Sequence, residues 1–95
     1  MPKLNDEQAQ AQLAQLDGWQ RNAAGEITKT YTFTGFPQAL MFATAVGVLA
    51  EAAHHHPDII IKWNKVTLNL ITHDAGGLTD KDFALARQID TSLPH

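Results

Sequence analysis

A period of two runs through "ITKTYTF", residues 27–33. Ile27, Lys29, Tyr31 and Phe33 fall on one face and the intervening threonines on the other. Such alternation predicts a half-buried β-strand. It returns further on, where Val66, Leu68 and Leu70 share one face and Thr67, Asn69, Ile71 and His73 the other. Each of these strands has a partner close in sequence. "WQRN" precedes the first across a short loop containing Gly25, and "IIIKW" precedes the second with Asn64-Lys65 between them, a spacing suited to a tight hairpin. The remaining stretches carry helical signals. Asn5 with Gln8 predicts an N-terminal capping box, for a helix running to about Leu16 and stopped by Asp17-Gly18. Thr79 with Asp82 repeats the signal for a final helix reaching Ile89. Between the hairpins lies "FPQALMFATAVGVLAEAA", with Pro37 at a plausible first helical position. Its apolar residues run almost all the way round, which predicts a central, well-buried helix.

The order αββαββα implies an α+β domain: a four-stranded antiparallel sheet with helices packed on one face. The other face, or a strand edge, is left for a ligand or a neighbouring subunit. A chain of 95 residues is expected to form one domain, 1–95, with a modest core that self-association would enlarge.

Charge narrows the partners. The net charge is −3, and the lysines and arginines are scattered singly. Nucleic acid and anionic membrane surfaces both demand clustered positive charge, so neither is expected as a partner. No stretch is long and apolar enough to span a bilayer, and "MPKLNDEQAQAQLAQLDG" lacks the apolar segment of a secretion signal. The expected compartment is the cytoplasm. With no cysteine, thiolate catalysis and cysteine-bound zinc are excluded.

The chemistry concentrates in "EAAHHHPDIIIKWNKVTLNLITHD", which holds four of the five histidines. Pro57 pushes the residue before it out of helical geometry, so His54, His55 and His56 lie where the central helix gives out. A helix C-terminus favours an imidazolium by about 1 kcal/mol or less. Glu51, one turn before His55, is placed to hold a ring nitrogen and fix its tautomer. Antiparallel pairing through the Asn64-Lys65 turn brings His73 near Asp58 or Pro57, at the same end of the sheet as His55 and His56. Imidazoles converging on one point can donate and accept protons near neutrality, as general acid–base catalysis requires. Zinc held by His55 or His56 with His73 and an aspartate is the second reading, although adjacent histidines diverge. Taken singly, Asp82 has the plainer use of capping its helix, Asp58 and Asp74 of turn residues, and Trp19 of filling the core.

Glu51, His55, His56, Pro57, Trp63, His73 and Asp82 together resemble the pattern of the pterin-4a-carbinolamine dehydratases. "NKV" at Asn64–Val66, "TH" at Thr72-His73, "GL" at Gly77-Leu78 and the pair Gly18-Trp19 are similar too, so the likeness covers nearly the whole chain. The resemblance implies the same αββαββα fold. It also implies an activity, dehydration of 4a-hydroxytetrahydropterin to quinonoid dihydropterin in tetrahydrobiopterin recycling, with no cofactor and no metal. By analogy with the family, His55 and His73 form the acid–base pair and His56 chiefly holds the pterin. Glu51 and Asp82 orient imidazoles or contact substrate, Pro57 belongs to the binding motif, and Trp19 stands beside the ring. His54 falls outside the pattern and receives no role. Family members form homodimers or homotetramers. Some animal members also serve as a dimerisation cofactor of a homeodomain transcription factor, and a small interaction protein is accordingly the reading from another functional class.

Overall fold

The computed structural model describes residues 2–95. In chain order it contains α1 (Asp6–Leu13), β1 (Gln20–Arg21), β2 (Ile27–Thr32), α2 (Phe36–Ala52), β3 (Asp58–Lys62), β4 (Lys65–Leu70), a 3₁₀ turn at His73–Ala75 and α3 (Asp80–Ser92). The strands form one antiparallel sheet in the order β1-β2-β4-β3. Alternation fixes which side faces the helices. Ile27 and Tyr31 of β2 and Val66, Leu68 and Leu70 of β4 are buried. Their neighbours Thr28, Thr30, Thr67 and Asn69 pair across the open face, Thr30 with Thr67 at 2.8 Å and Thr28 with Asn69 at 2.7 Å. From the helices, Phe42 and Val46 of α2 and Phe83, Leu85 and Ile89 of α3 complete the core. Each such large side chain contributes about 1.5–3 kcal/mol on burial.

Both capping boxes form, Asn5 with Gln8 and Thr79 with Asp82. Three expectations need correction. The helix expected to reach about Leu16 ends at Leu13, because the next bonds, Gln15 N–H to Gln12 and Leu16 N–H to Leu13, are of the tighter i→i+3 kind. The second hairpin turns at Trp63-Asn64 rather than Asn64-Lys65, since Lys62 pairs with Lys65. Trp63 has φ +50°, a conformation bulky residues seldom adopt. Asn64 anchors this turn to the end of β2: its Nδ2 donates to the Phe33 carbonyl at 2.9 Å, and its own carbonyl accepts the Phe33 N–H at 2.8 Å.

The third correction concerns α2, which is buried along one stripe only, through Ala39, Phe42, Ala43, Val46 and Ala50. Opposite that stripe Met41 and Val48 are 64% and 66% exposed, and Phe36 and Leu40 are exposed as well. Among the described residues no second layer covers this face.

Candidate active site

α2 does not simply fray before Pro57. Its last turn closes as a Schellman motif: the His55 N–H donates to the Ala50 carbonyl and the His54 N–H to the Glu51 carbonyl, both at 3.1 Å. The residue this motif places in the left-handed region is usually glycine, and here it is His54, with φ +51°. His54 thus has the structural role the sequence did not reveal. Reversing the chain at His54 sends the next two histidines in opposite directions. His55 turns inward and is 8% exposed, whereas His56 stays in solvent.

Their partners follow from that divergence. His55 Nε2–H donates to Asp82 Oδ1 at 2.5 Å, and His56 Nε2 lies 2.8 Å from Glu51 Oε1. The expectation that Glu51 would hold His55 is therefore corrected; the helix stops too early, and the reversal brings His56 to Glu51 instead. The His56 hydrogen bond and charge hold the exposed Glu51 carboxyl below the usual carboxylate range. Asp82 does two jobs at once. Wholly buried at the third position of α3, it accepts the Thr79 N–H and the Thr72 hydroxyl on Oδ2, each at 2.9 Å, and His55 on Oδ1. Since a carboxylate only accepts, the neutral His55 ring facing it carries its proton on Nε2, and in that form Nδ1 is the ring nitrogen free to take one.

His73 does not end β4 as expected. The strand stops at Leu70, Thr72 bridges to Gly77, and His73 opens the 3₁₀ turn. Nor is His73 opposite Asp58, whose partner is Asn69. It lies further along, at an open cleft of about 240 Å³ lined by His54, His55 and His56, by Ile71–Asp74 and by Lys81 of α3. Lys81 Nζ donates to the His54 carbonyl at 3.4 Å, tying α3 to the histidine loop. Thr72 and Lys81 are the contributors that sequence reasoning missed as site residues. Only the "TH" and "TDKD" stretches around them pointed there.

Pro57 directly follows the loop and leads into β3. Trp19 is not among the cleft-lining residues. It is 4% exposed in the core, where its Nε1–H donates to Asp90 Oδ2 at 2.8 Å, so the expected place beside a bound ring is corrected to a core position. A buried indole N–H requires an acceptor, and Asp90 supplies it. The same carboxylate takes Tyr31 Oη–H at 2.5 Å and Lys29 Nζ at 3.2 Å. Burial, reinforced by Asp90, pushes the Tyr31 phenol well above its ordinary value. Among the described residues no three histidine, aspartate or glutamate side chains converge as metal ligands.

An imidazole pinned by a buried carboxylate, with further imidazoles at the same open cleft, is a candidate acid–base site on an α+β sheet. Comparison with known proteins gives that class its family. The model of the family described as pterin 4 alpha carbinolamine dehydratase matches residues 2–92. A relative from Roseiflexus castenholzii that carries the pterin-4-alpha-carbinolamine dehydratase name is 58% identical over 87 residues, 92% of either chain. Another bearing that name, from Chloroflexus aurantiacus, is 53% identical over 90 residues, covering 95% of this chain and 96% of its own. The crystal structure of a transcriptional coactivator/pterin dehydratase from Brucella melitensis superposes with a TM-score of 0.88 at 31% identity, covering 94% and 96% of the two chains. The chain belongs to the pterin 4 alpha carbinolamine dehydratase family and is thereby a hydro-lyase.

Proposed function

We propose that the protein removes water from 4a-hydroxytetrahydropterin to give quinonoid dihydropterin, by histidine acid–base catalysis in the recycling of tetrahydrobiopterin. The observation that carries this reading is the meeting of the His55–His56 loop and His73 at one cleft, with His55 held by buried Asp82. The reaction needs two proton movements. An acid protonates the departing hydroxyl, which leaves as water, and a base takes the proton of the adjacent ring nitrogen, whose electron pair forms the new carbon–nitrogen double bond. His55, with Nδ1 free, and His73 form the acid–base pair, His56 holds the pterin, and Glu51, Pro57 and Asp82 position them. Each such group contributes a rate factor of roughly 10²–10⁴.

The working unit is the single domain 1–95, acting in the cytoplasm as a homodimer or homotetramer. Support for self-association comes from the exposed apolar face of α2 around Met41 and Val48. No helix is long and apolar enough to cross a membrane among the described residues. The deciding experiment follows the absorbance decay of freshly generated 4a-hydroxytetrahydropterin, in chelator, with and without the protein. Decay faster than the spontaneous reaction, and lost in His73→Ala, is expected. Decay no faster than in buffer refutes the dehydratase reading.

A further inference from the structure

The hydroxyls behind the histidine cleft can be assigned proton by proton. Thr72 Oγ1 lies 2.9 Å from Asp82 Oδ2 and 2.8 Å from Thr79 Oγ1. A hydroxyl has one proton, and the carboxylate has none to give, so Thr72 spends its proton on Asp82. Thr79 must then donate to Thr72, and its own oxygen accepts the Lys81 N–H at 3.2 Å. The result is a directed chain: Lys81 N–H to Thr79, Thr79 O–H to Thr72, Thr72 O–H to Asp82, with His55 Nε2–H arriving at the other carboxylate oxygen. Asp82 and Thr79 are both 0% exposed, so no water can substitute for a missing partner without opening the core.

Thr72 is also fixed through its backbone. Its N–H donates to the Gly77 carbonyl at 3.1 Å, and its own carbonyl accepts from Ala75 at 3.1 Å and from Gly77 at 3.3 Å. Immediately after it comes His73. One residue thus connects Asp82, which holds His55, to the bend that carries the other imidazole. We propose that Thr72 is a positioning residue: its hydroxyl holds Asp82 in the orientation that keeps His55 as the Nε2–H tautomer, and its place in the bend fixes His73 relative to His55. It acts through these side chains, and the inference rests on the acid–base reading of the cleft given above.

The test compares Thr72→Val, which keeps the shape and removes the hydroxyl, with Thr72→Ser, which keeps the hydroxyl. Dehydration kinetics are measured on each, together with nitrogen NMR of histidine-labelled protein, the His55 ring being assigned by its loss in His55→Gln. Thr72→Val is expected to lower kcat about ten-fold with KM nearly unchanged, the loss of one hydrogen bond to a charged group expressed as a rate. Without the Thr72 hydroxyl the Asp82 carboxylate is expected to turn out of line with His55 Nε2. The ring, no longer held to one acceptor, then shows a mixture of tautomers, whereas wild type and Thr72→Ser show the Nε2–H form alone. A Thr72→Val protein that keeps the pure Nε2–H signature overturns the proposal. So does a loss confined to KM, which would make Thr72 a substrate contact, or a Thr72→Ser protein as impaired as Thr72→Val, which would make it a packing residue. If the wild-type protein fails to accelerate dehydration, the acid–base reading falls, while the ring spectra still decide whether Thr72 sets the tautomer.

Discussion

Replacing Asp82 by Asn changes one atom in the centre of the site and asks what the charge does. The shape is conserved, and the remaining oxygen can still accept from the Thr79 N–H and the Thr72 hydroxyl, now 2.9 Å from Oδ2. Hydrogen bonds to a charged acceptor contribute about 1.5–3 kcal/mol against about 0.5–1.5 for a neutral one, so these bonds weaken by about 1 kcal/mol each, roughly 2 kcal/mol together. Domains of this size have about 5–15 kcal/mol in hand, so the fold survives with Tm lowered on the order of 10 °C. Activity suffers far more. The new amide nitrogen points hydrogens at His55 Nε2, which must become an acceptor, and the ring proton moves to Nδ1. Nδ1, which the proposed mechanism leaves free to take a proton, then already carries one. That removes most of one acid–base contribution, a fall in kcat of about 10³-fold within the range of 10²–10⁴. The measurement is steady-state dehydration of 4a-hydroxytetrahydropterin at a temperature where circular dichroism shows the variant folded. A folded Asp82→Asn enzyme with kcat within about three-fold of wild type would refute the claim that the carboxylate sets the His55 tautomer.

Other consequences can be checked separately. His54→Gly relieves a non-glycine residue at φ +51°, and a gain of up to about 1 kcal/mol in urea unfolding is expected, with kcat unchanged; a large loss of kcat would give His54 a part in the chemistry. Tyr31 keeps its proton in the folded protein past the point where the unfolded chain loses it, so its contribution is complete below pH 10.0 and declines as pH rises beyond that. The slope approaches about 1.4 kcal/mol per pH unit and should be missing in Tyr31→Phe, as read from denaturant melts between neutral and strongly alkaline pH. Met41→Glu with Val48→Glu places charge on the exposed face of α2 and should reduce the sedimenting mass of an oligomer; wild-type protein that sediments as a monomer refutes self-association through that face.

The sequence by itself determined the elements, their order and the residue types of the site. Period-two alternation in β2 and β4 and the capping pairs Asn5–Gln8 and Thr79–Asp82 are local signals, set by interactions a few residues long. The clustering of histidines around Pro57, and their likeness to a known motif, were equally legible. Tertiary structure decided the rest. Moving the hairpin turn from Asn64-Lys65 to Trp63-Asn64 slides the pairing by two residues, which keeps Val66, Leu68 and Leu70 on the buried face. Hydrophobic alternation is therefore blind to the choice, and the bonds from Asn64 to Phe33, across to another strand, settle it. The exposed side of α2 was hidden for a related reason: apolarity all round a helix says that both faces can be covered, not whether one chain supplies both covers. Which carboxylate serves which histidine was hidden most deeply. It depends on His54 taking a left-handed conformation, which turns His55 toward Asp82 and His56 toward Glu51, and no local preference of histidine announces that turn.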